Sequence, residues 1–356
     1  MRNVAAIFII FLVPCVYLHP VYQFGIKEDV EDLFNSSCIF GPQSMSMVLF
    51  NSDNPKGKNI GEQESCNYID SSKPIVFLVH GFISSANNTN NYDLASQLVK
   101  NDYTVFSLDW SDAACSNGIP IAKLLEYPFA VTNTHKIGEL MAKYVKALKE
   151  KCKIPLDNII FIGHSLGAHV AAFAAKNIQN SNLGTISLLI GLDPAGPLFK
   201  YNKCKDKLCI TDAKHLIVFH TSILGLGEPI GQVDLWFNGG KEQPDCDILN
   251  VPCSHSMSVV YLANLLYNKC VYPGAETHLS KRLSDLSFFF FRLLGIAEKP
   301  DYPNPNTTDC IVVNKDIFNI KANDKLREGN YYVFVQKKNP YCTEKSFKCK
   351  SLIEAS

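Results

Sequence analysis

Short, uninterrupted apolar runs alternate through the first two-thirds of the chain with segments whose apolar residues recur every three or four positions. The runs predict strands buried on both faces, at residues 74–80 (PIVFLVH), 103–108, 158–162, 185–192 and 215–220. The recurring segments predict helices over 91–100 and from 166 to about 177, with a third whose face carries Ile137, Leu140, Met141, Tyr144, Val145 and Leu148. This alternation predicts an α/β fold, a mostly parallel central sheet with helices on both faces. No repeat, low-complexity linker or charge block marks off a second unit before residue 270, so the pattern reads as one continuous domain. Residues 300–308 read as a long loop. Just before it, Leu283, Leu286, Phe289, Phe290, Leu293 and Leu294 would form an apolar helix face edged by Phe288 and Phe291, suited to core packing or to lipid contact.

Composition supports a core of this extent: of 356 residues, 47% are hydrophobic and 19% charged. Thirty-four basic residues balance thirty-four acidic ones, so no overall field favours nucleic acid, and none is expected as a partner. The N-terminus changes the picture more. Arg2 followed by an apolar stretch from Ala5 to Val13, too short to span a bilayer, predicts a secretory signal over residues 1–20 with cleavage between Cys15 and Pro20. The mature chain, 21–356, is then a secreted single domain with no transmembrane segment, expected to be a monomer.

Loss of Cys15 leaves twelve of thirteen cysteines, an even set that in an exported chain predicts a disulfide-stabilised fold. Spacing suggests Cys204 with Cys209 and Cys246 with Cys253. It cannot pair Cys38, Cys66, Cys115, Cys152, Cys270, Cys310, Cys342 and Cys349. Zinc is the rival use of so many thiols, but no pair of C-x-x-C motifs occurs, and no metal or cofactor is expected. Asn35, Asn87 and Asn306 each begin a tripeptide that fits the N-glycosylation acceptor.

Residues 163–167 (GHSLG) stand between an apolar run and a small-residue helix, and this context gives the G-x-S-x-G match its meaning. A turn this tight needs near-absent side chains two positions before and after the serine, and it lifts the hydroxyl above the sheet. Ser165 is the candidate nucleophile. A serine hydroxyl needs a histidine to take its proton and a carboxylate to orient that histidine, in the chain order serine, acid, histidine. Asp193 ends the apolar run TISLLIGLD. Asp206, Asp212, Asp234, Asp245 and Asp247 also follow the serine but end no comparable run. Of His215, His220, His255 and His278, which lie after Asp193, His255 is preferred, on a loop anchored by Cys253 and preceding the helical run MSVVYLANLLY. His220 reads as structural, and His164 and His169 as local packing or hydrogen-bonding residues. Backbone N–H groups of Leu166 and of Phe82, which follows the first buried strand, are the expected donors to the oxyanion.

With VHGF, GHSLGAH, GLDPAGP and CSH in this order, the chain resembles the pancreatic-lipase-like family of secreted α/β-hydrolases, and most nearly its single-domain phospholipases A1 of the insect venom type. The stretches from Cys204 to His220, GQVDLWFNGGKEQPDC and GNYYVFVQKKNPYC are also similar. The resemblance implies a triad of Ser165, Asp193 and His255, with Phe82 and Leu166 as oxyanion donors. Larger relatives add a C-terminal β-sandwich, for which the 101 residues after His255 leave no room. In relatives that cleave triacylglycerol, a long disulfide-bounded lid precedes the histidine, whereas Cys246 and Cys253 enclose six residues. A lid this short, with a short loop around Cys204 to Cys209, goes in the family with phospholipase activity. The implied activity is therefore sn-1 hydrolysis of a phospholipid or other glycerolipid at a membrane or micelle surface. Triacylglycerol or galactolipid hydrolysis, or an inactive lipid-binding or storage role, are the alternatives. Of the carboxylates of a calcium site found in some relatives, only Asp212 is matched.

Overall fold

The computed structural model describes residues 37–42, 45–116, 123–247, 250–267, 270–277, 310–319, 326–344 and 349–352. The expected signal segment, Asn35, Asn306, His278, the Phe288–Phe291 face and the loop at 300–308 lie outside them.

Seven strands make the parallel body of the sheet: β3 (Ile75–Val79), β4 (Thr104–Asp109), β5 (Ile159–His164), β6 (Ile186–Leu192), β7 (Ala213–His220), β8 (Val233–Phe237) and β11 (Gly329–Val333). At one edge β1 (Ser46–Phe50) runs antiparallel to β4 and carries the two-residue β2 (Lys58–Asn59). At the other, β9 (Tyr272–Glu276) runs antiparallel to both β11 and β10 (Cys310–Val313), and β12 (Lys350–Ser351) closes the edge. The spatial order is β12-β10-β9-β11-β8-β7-β6-β5-β3-β4-β1-β2. This is an α/β-hydrolase architecture.

Alternation along the central strands explains why their sequences are mostly apolar. Ile75, Phe77 and Val79 of β3 enter one core, which includes residues of α2 (Lys123–Lys151) and α3 (Leu166–Asn180). Val76 and Leu78 enter the other, with residues of α1 (Thr89–Lys100) and α4 (Val251–Leu265). Period-two side chains with helices on both sides favour apolar residues at most strand positions, and Thr104, Ser107, Ser187 and His215 are polar exceptions that are buried nonetheless.

The five strands expected from the pattern are present with ends shifted by at most two residues. The edge strands were not legible: β2 and β12 have two residues each, and β9 reads YPGAE, with proline and glycine that argue against a strand. One placement is corrected. His255 lies on α4 rather than on a loop before it, because the helix starts at Val251. Asn250 caps it, accepting a bond from the Cys253 N–H at 3.1 Å, and Pro252 occupies the first turn, where its missing N–H costs nothing. All twelve described cysteines are bonded: Cys38–Cys115, Cys66–Cys152, Cys204–Cys209, Cys246–Cys253, Cys270–Cys342 and Cys310–Cys349. No helix among the described residues is long and apolar enough to cross a membrane.

Candidate active site

Ser165 joins β5 to α3 with φ 56° and ψ −122°, a conformation rare for any side-chain-bearing residue. The glycines around it are sterically required. A Cβ on Gly163 would lie 2.4 Å from the Gly167 carbonyl oxygen, and one on Gly167 would lie 2.2 Å from that of Val79. The turn is tied down by Ser165 N–H donating to Leu192 O (3.0 Å) and by Ala195 N–H donating to Ser165 O (3.3 Å). These bonds join the serine to the segment that bears the acid.

Asp193 follows β6 with φ 44°, fully buried, its N–H bonded to Phe219 O at 2.7 Å. Its Oδ1 accepts from Thr221 N–H at 2.8 Å and Ser222 N–H at 3.3 Å. Oδ2 accepts from the Ser222 hydroxyl and, at 2.6 Å, from His255 Nδ1. Burial alone would raise this carboxyl, but the bonds from His255, Ser222 and Thr221 outweigh it and hold Asp193 below the ordinary aspartate value. Gly225 leaves the space for the carboxylate, since a Cβ there would sit 2.4 Å from Oδ1.

His255 Nδ1 is thus the donor to Asp193, which leaves Nε2 as the acceptor nitrogen. Ser165 and His255 border one cleft of about 580 Å³. No hydrogen bond joins their side chains among the described residues. In unliganded enzymes this contact is often long and tightens around bound substrate. Leu166, the first residue of α3, has an N–H with no intrahelical acceptor. Phe82 lines the cleft beside the serine and follows Gly81, where a Cβ would meet Ser165 Cβ at 2.7 Å. His80 holds that loop: its Nε2 accepts from Trp110 N–H (3.1 Å) and its carbonyl from Trp110 Nε1–H (2.8 Å).

The cleft walls are of two kinds. Phe82, Ile83, Tyr127, Pro197, Leu224 and Val259 make it apolar, while Ser84, Asn88, Asn90 and Asn91 supply uncharged polar groups. No lysine, arginine, aspartate or glutamate lines it among the described residues. Asn87, exposed on the surface, lies between Ser84 and Asn88 of the polar wall.

Sequence reasoning missed two groups. Ser222 sits against the acid and lies 3.3 Å from His255 Nδ1, and its oxygen accepts from Leu224 N–H at 3.1 Å. His164, read as making only local bonds, donates from Nε2 to the His255 carbonyl 3.1 Å away and 91 residues along the chain. Burial, helped by the neighbouring His255 ring, pushes the His164 imidazole down to about 3, so it is neutral at pH 7. The x position of G-x-S-x-G is adjacent to the site in any such turn, which is the only signal the chain offers for it. Two further histidines among the described residues serve the scaffold. His169 donates to Ala195 O, accepts from Leu208 N–H and stacks on Phe199, while both ring nitrogens of His220 are engaged by Leu226 O and Asp234. Asp212 is bonded to Lys176 Nζ and to Cys209 N–H.

A family model described as Lipase matches residues 25–278. The chain belongs to the Lipase family. Among curated relatives of this lipase-family chain, phospholipase A1 of Solenopsis invicta is 42% identical over 353 residues, covering 98% of this chain and 99% of the relative. Phospholipase A1 of Dinoponera quadriceps is 48% identical over 317 residues, covering 88% and 80%. Phospholipase A1 of Vespa velutina is 37% identical over 321 residues, covering 87% and 98%.

Proposed function

We propose that this lipase-family chain is a secreted phospholipase A1 that hydrolyses the sn-1 ester of phospholipids with Ser165, His255 and Asp193 as its triad. His255 Nε2 takes the Ser165 proton as the oxygen attacks the ester carbonyl, and Asp193 stabilises the imidazolium that forms. Phe82 and Leu166 N–H groups receive the negative charge on the carbonyl oxygen. Collapse of this intermediate passes the proton from Nε2 to the departing glycerol oxygen and releases the lysophospholipid. Water, deprotonated by the same nitrogen, then cleaves the acyl-serine to free fatty acid and serine. The bond from His255 Nδ1 to Asp193 at 2.6 Å, on a cleft that also exposes Ser165, carries this reading.

The cleft supports the substrate class, because an acyl chain suits the apolar wall and a polar glycerophosphate edge suits uncharged amides and hydroxyls. The relatives named phospholipase A1 support the same choice. Six disulfides support secretion, with residues 1–20 as the signal, 21–356 as one domain and Asn87 as an accessible glycan acceptor. Phosphatidylcholine carrying different acyl chains at its two positions tests the proposal. The purified chain should release the sn-1 acid and leave the matching lysophospholipid, and Ser165→Ala should lower the rate about 10⁴-fold or more. Release from triolein in place of phosphatidylcholine would move the substrate to neutral glycerides, and no ester hydrolysis at all would remove the enzymatic reading.

A further inference from the structure

The loop that leaves Asp193 bears groups the reaction does not use. Pro197 lines the cleft, and beyond it Leu198 is 57% and Tyr201 90% exposed. Between them Phe199 is buried and stacks on His169 at 3.6 Å, so the loop is anchored from within while its neighbours face water. Leu198 has φ 64°, unfavourable for a branched side chain, in a turn held by Phe199 and Lys200 N–H groups on Gly196 O at 3.0 and 2.9 Å. Nothing in the interior is gained from that leucine, so neither packing nor backbone preference accounts for it. Ile83, which lines the cleft, is likewise an exposed apolar residue at positive φ.

Charge singles out the same loop. The chain has no net charge, yet residues 198–207 hold four lysines and one aspartate. Lys207 is paired with Glu228 at 2.6 Å, whereas Lys203 and Lys205 are exposed, Lys205 with only the loop's own Asp206 at 3.9 Å. Exposed leucine and tyrosine interleaved with lysines match a bilayer interface, where apolar groups enter the headgroup boundary and ammonium groups meet anionic phosphates.

We propose that Leu198 and Tyr201, with Lys203 and Lys205, dock the protein on an anionic phospholipid surface and bring the cleft mouth against it. The orientation rests on the phospholipid reading above, but docking itself does not require turnover. The Ser165→Ala chain, which leaves bilayers intact, is sedimented with vesicles of phosphatidylcholine alone and of phosphatidylcholine mixed with phosphatidylserine. It should bind the mixed vesicles more tightly, and less so as salt rises. Lys203→Ala with Lys205→Ala should remove most of that preference, at about fivefold per lysine. Leu198→Asn with Tyr201→Ser should weaken binding to both vesicles about tenfold. Asparagine tolerates the left-handed conformation better than leucine, so this variant should melt no lower than its parent, which separates docking from folding. Failure of the parent to sediment with either vesicle, or parental binding by both variants, would overturn the proposal. Phosphatidylcholine hydrolysis by the unsubstituted chain is read separately. Docking without hydrolysis would count against the phospholipase reading alone, and hydrolysis without loop-dependent docking against this one alone.

Discussion

Two histidine–aspartate pairs stand close together along this sheet: His255 with Asp193 at 2.6 Å and His220 with Asp234 at 2.7 Å. Distance does not tell them apart. The His220 side chain is 1% exposed, lies flat on Trp236 at 3.7 Å and spends its second nitrogen on Leu226 O. The His255 side chain is 12% exposed, borders the cleft, and its Nε2 has no hydrogen-bond partner among the described residues. A carboxylate orients both rings, but only one retains an acceptor nitrogen where an alcohol proton can reach it. The fate of the second nitrogen separates a scaffold pair from a reactive one.

The largest expected contrast comes from removing each imidazole. His255→Ala should abolish ester hydrolysis, about 10⁴-fold or more, and leave the melting temperature near that of the parent. His220→Ala should empty a fully buried ring site against Trp236 and take one donor from Asp234, which keeps the Ile230 and Gly231 N–H groups, and so lose about 3 kcal/mol of stability, read by denaturant unfolding, while the protein that remains folded still turns over. Equal effects of the two substitutions on activity would dissolve the distinction.

A smaller effect sharpens it. Ser222→Ala removes a donor from Asp193 and the acceptor of Leu224 N–H. The carboxylate is then held less firmly against His255, so kcat should fall about tenfold with KM little changed. A residue that merely fills space would not lower kcat while leaving KM in place.

The smallest effect is on stability against pH. Asp193 is held below its ordinary value of 3.8 in the folded chain, so its contribution is present above that value and is lost as pH falls through the lowered folded value. Melting temperatures recorded from about pH 6 to about pH 3 should therefore fall more steeply in the parent than in Asp193→Asn.

How much of this was legible depended on where the determining contacts lie along the chain. The strands β3 to β7 announce themselves because both faces are covered and most positions are therefore apolar. Ser165 and Asp193 announce themselves because the tight turn and the strand end are local patterns. Elimination among the histidines points to His255 but not to its helical setting, since Asn250 and Pro252 start the helix before the apolar periodicity begins. Ser222 and His164 act through bonds to residues 29 and 91 positions away, and no local pattern encodes such a meeting.

The placement of the disulfides has a consequence for how the molecule would come apart. Two bridges lie within residues 38–152, two within 270–349, and two close small loops at 204–209 and 246–253. None spans from one flank to the other, and the strands that carry Ser165 and Asp193 are cross-linked to nothing. Covalent ties therefore guard the sheet's margins, where two- to five-residue strands could fray, while its middle relies on being sandwiched. A reductant would be felt first as loosening at the two borders, with the floor of the cleft the last part of the molecule to yield.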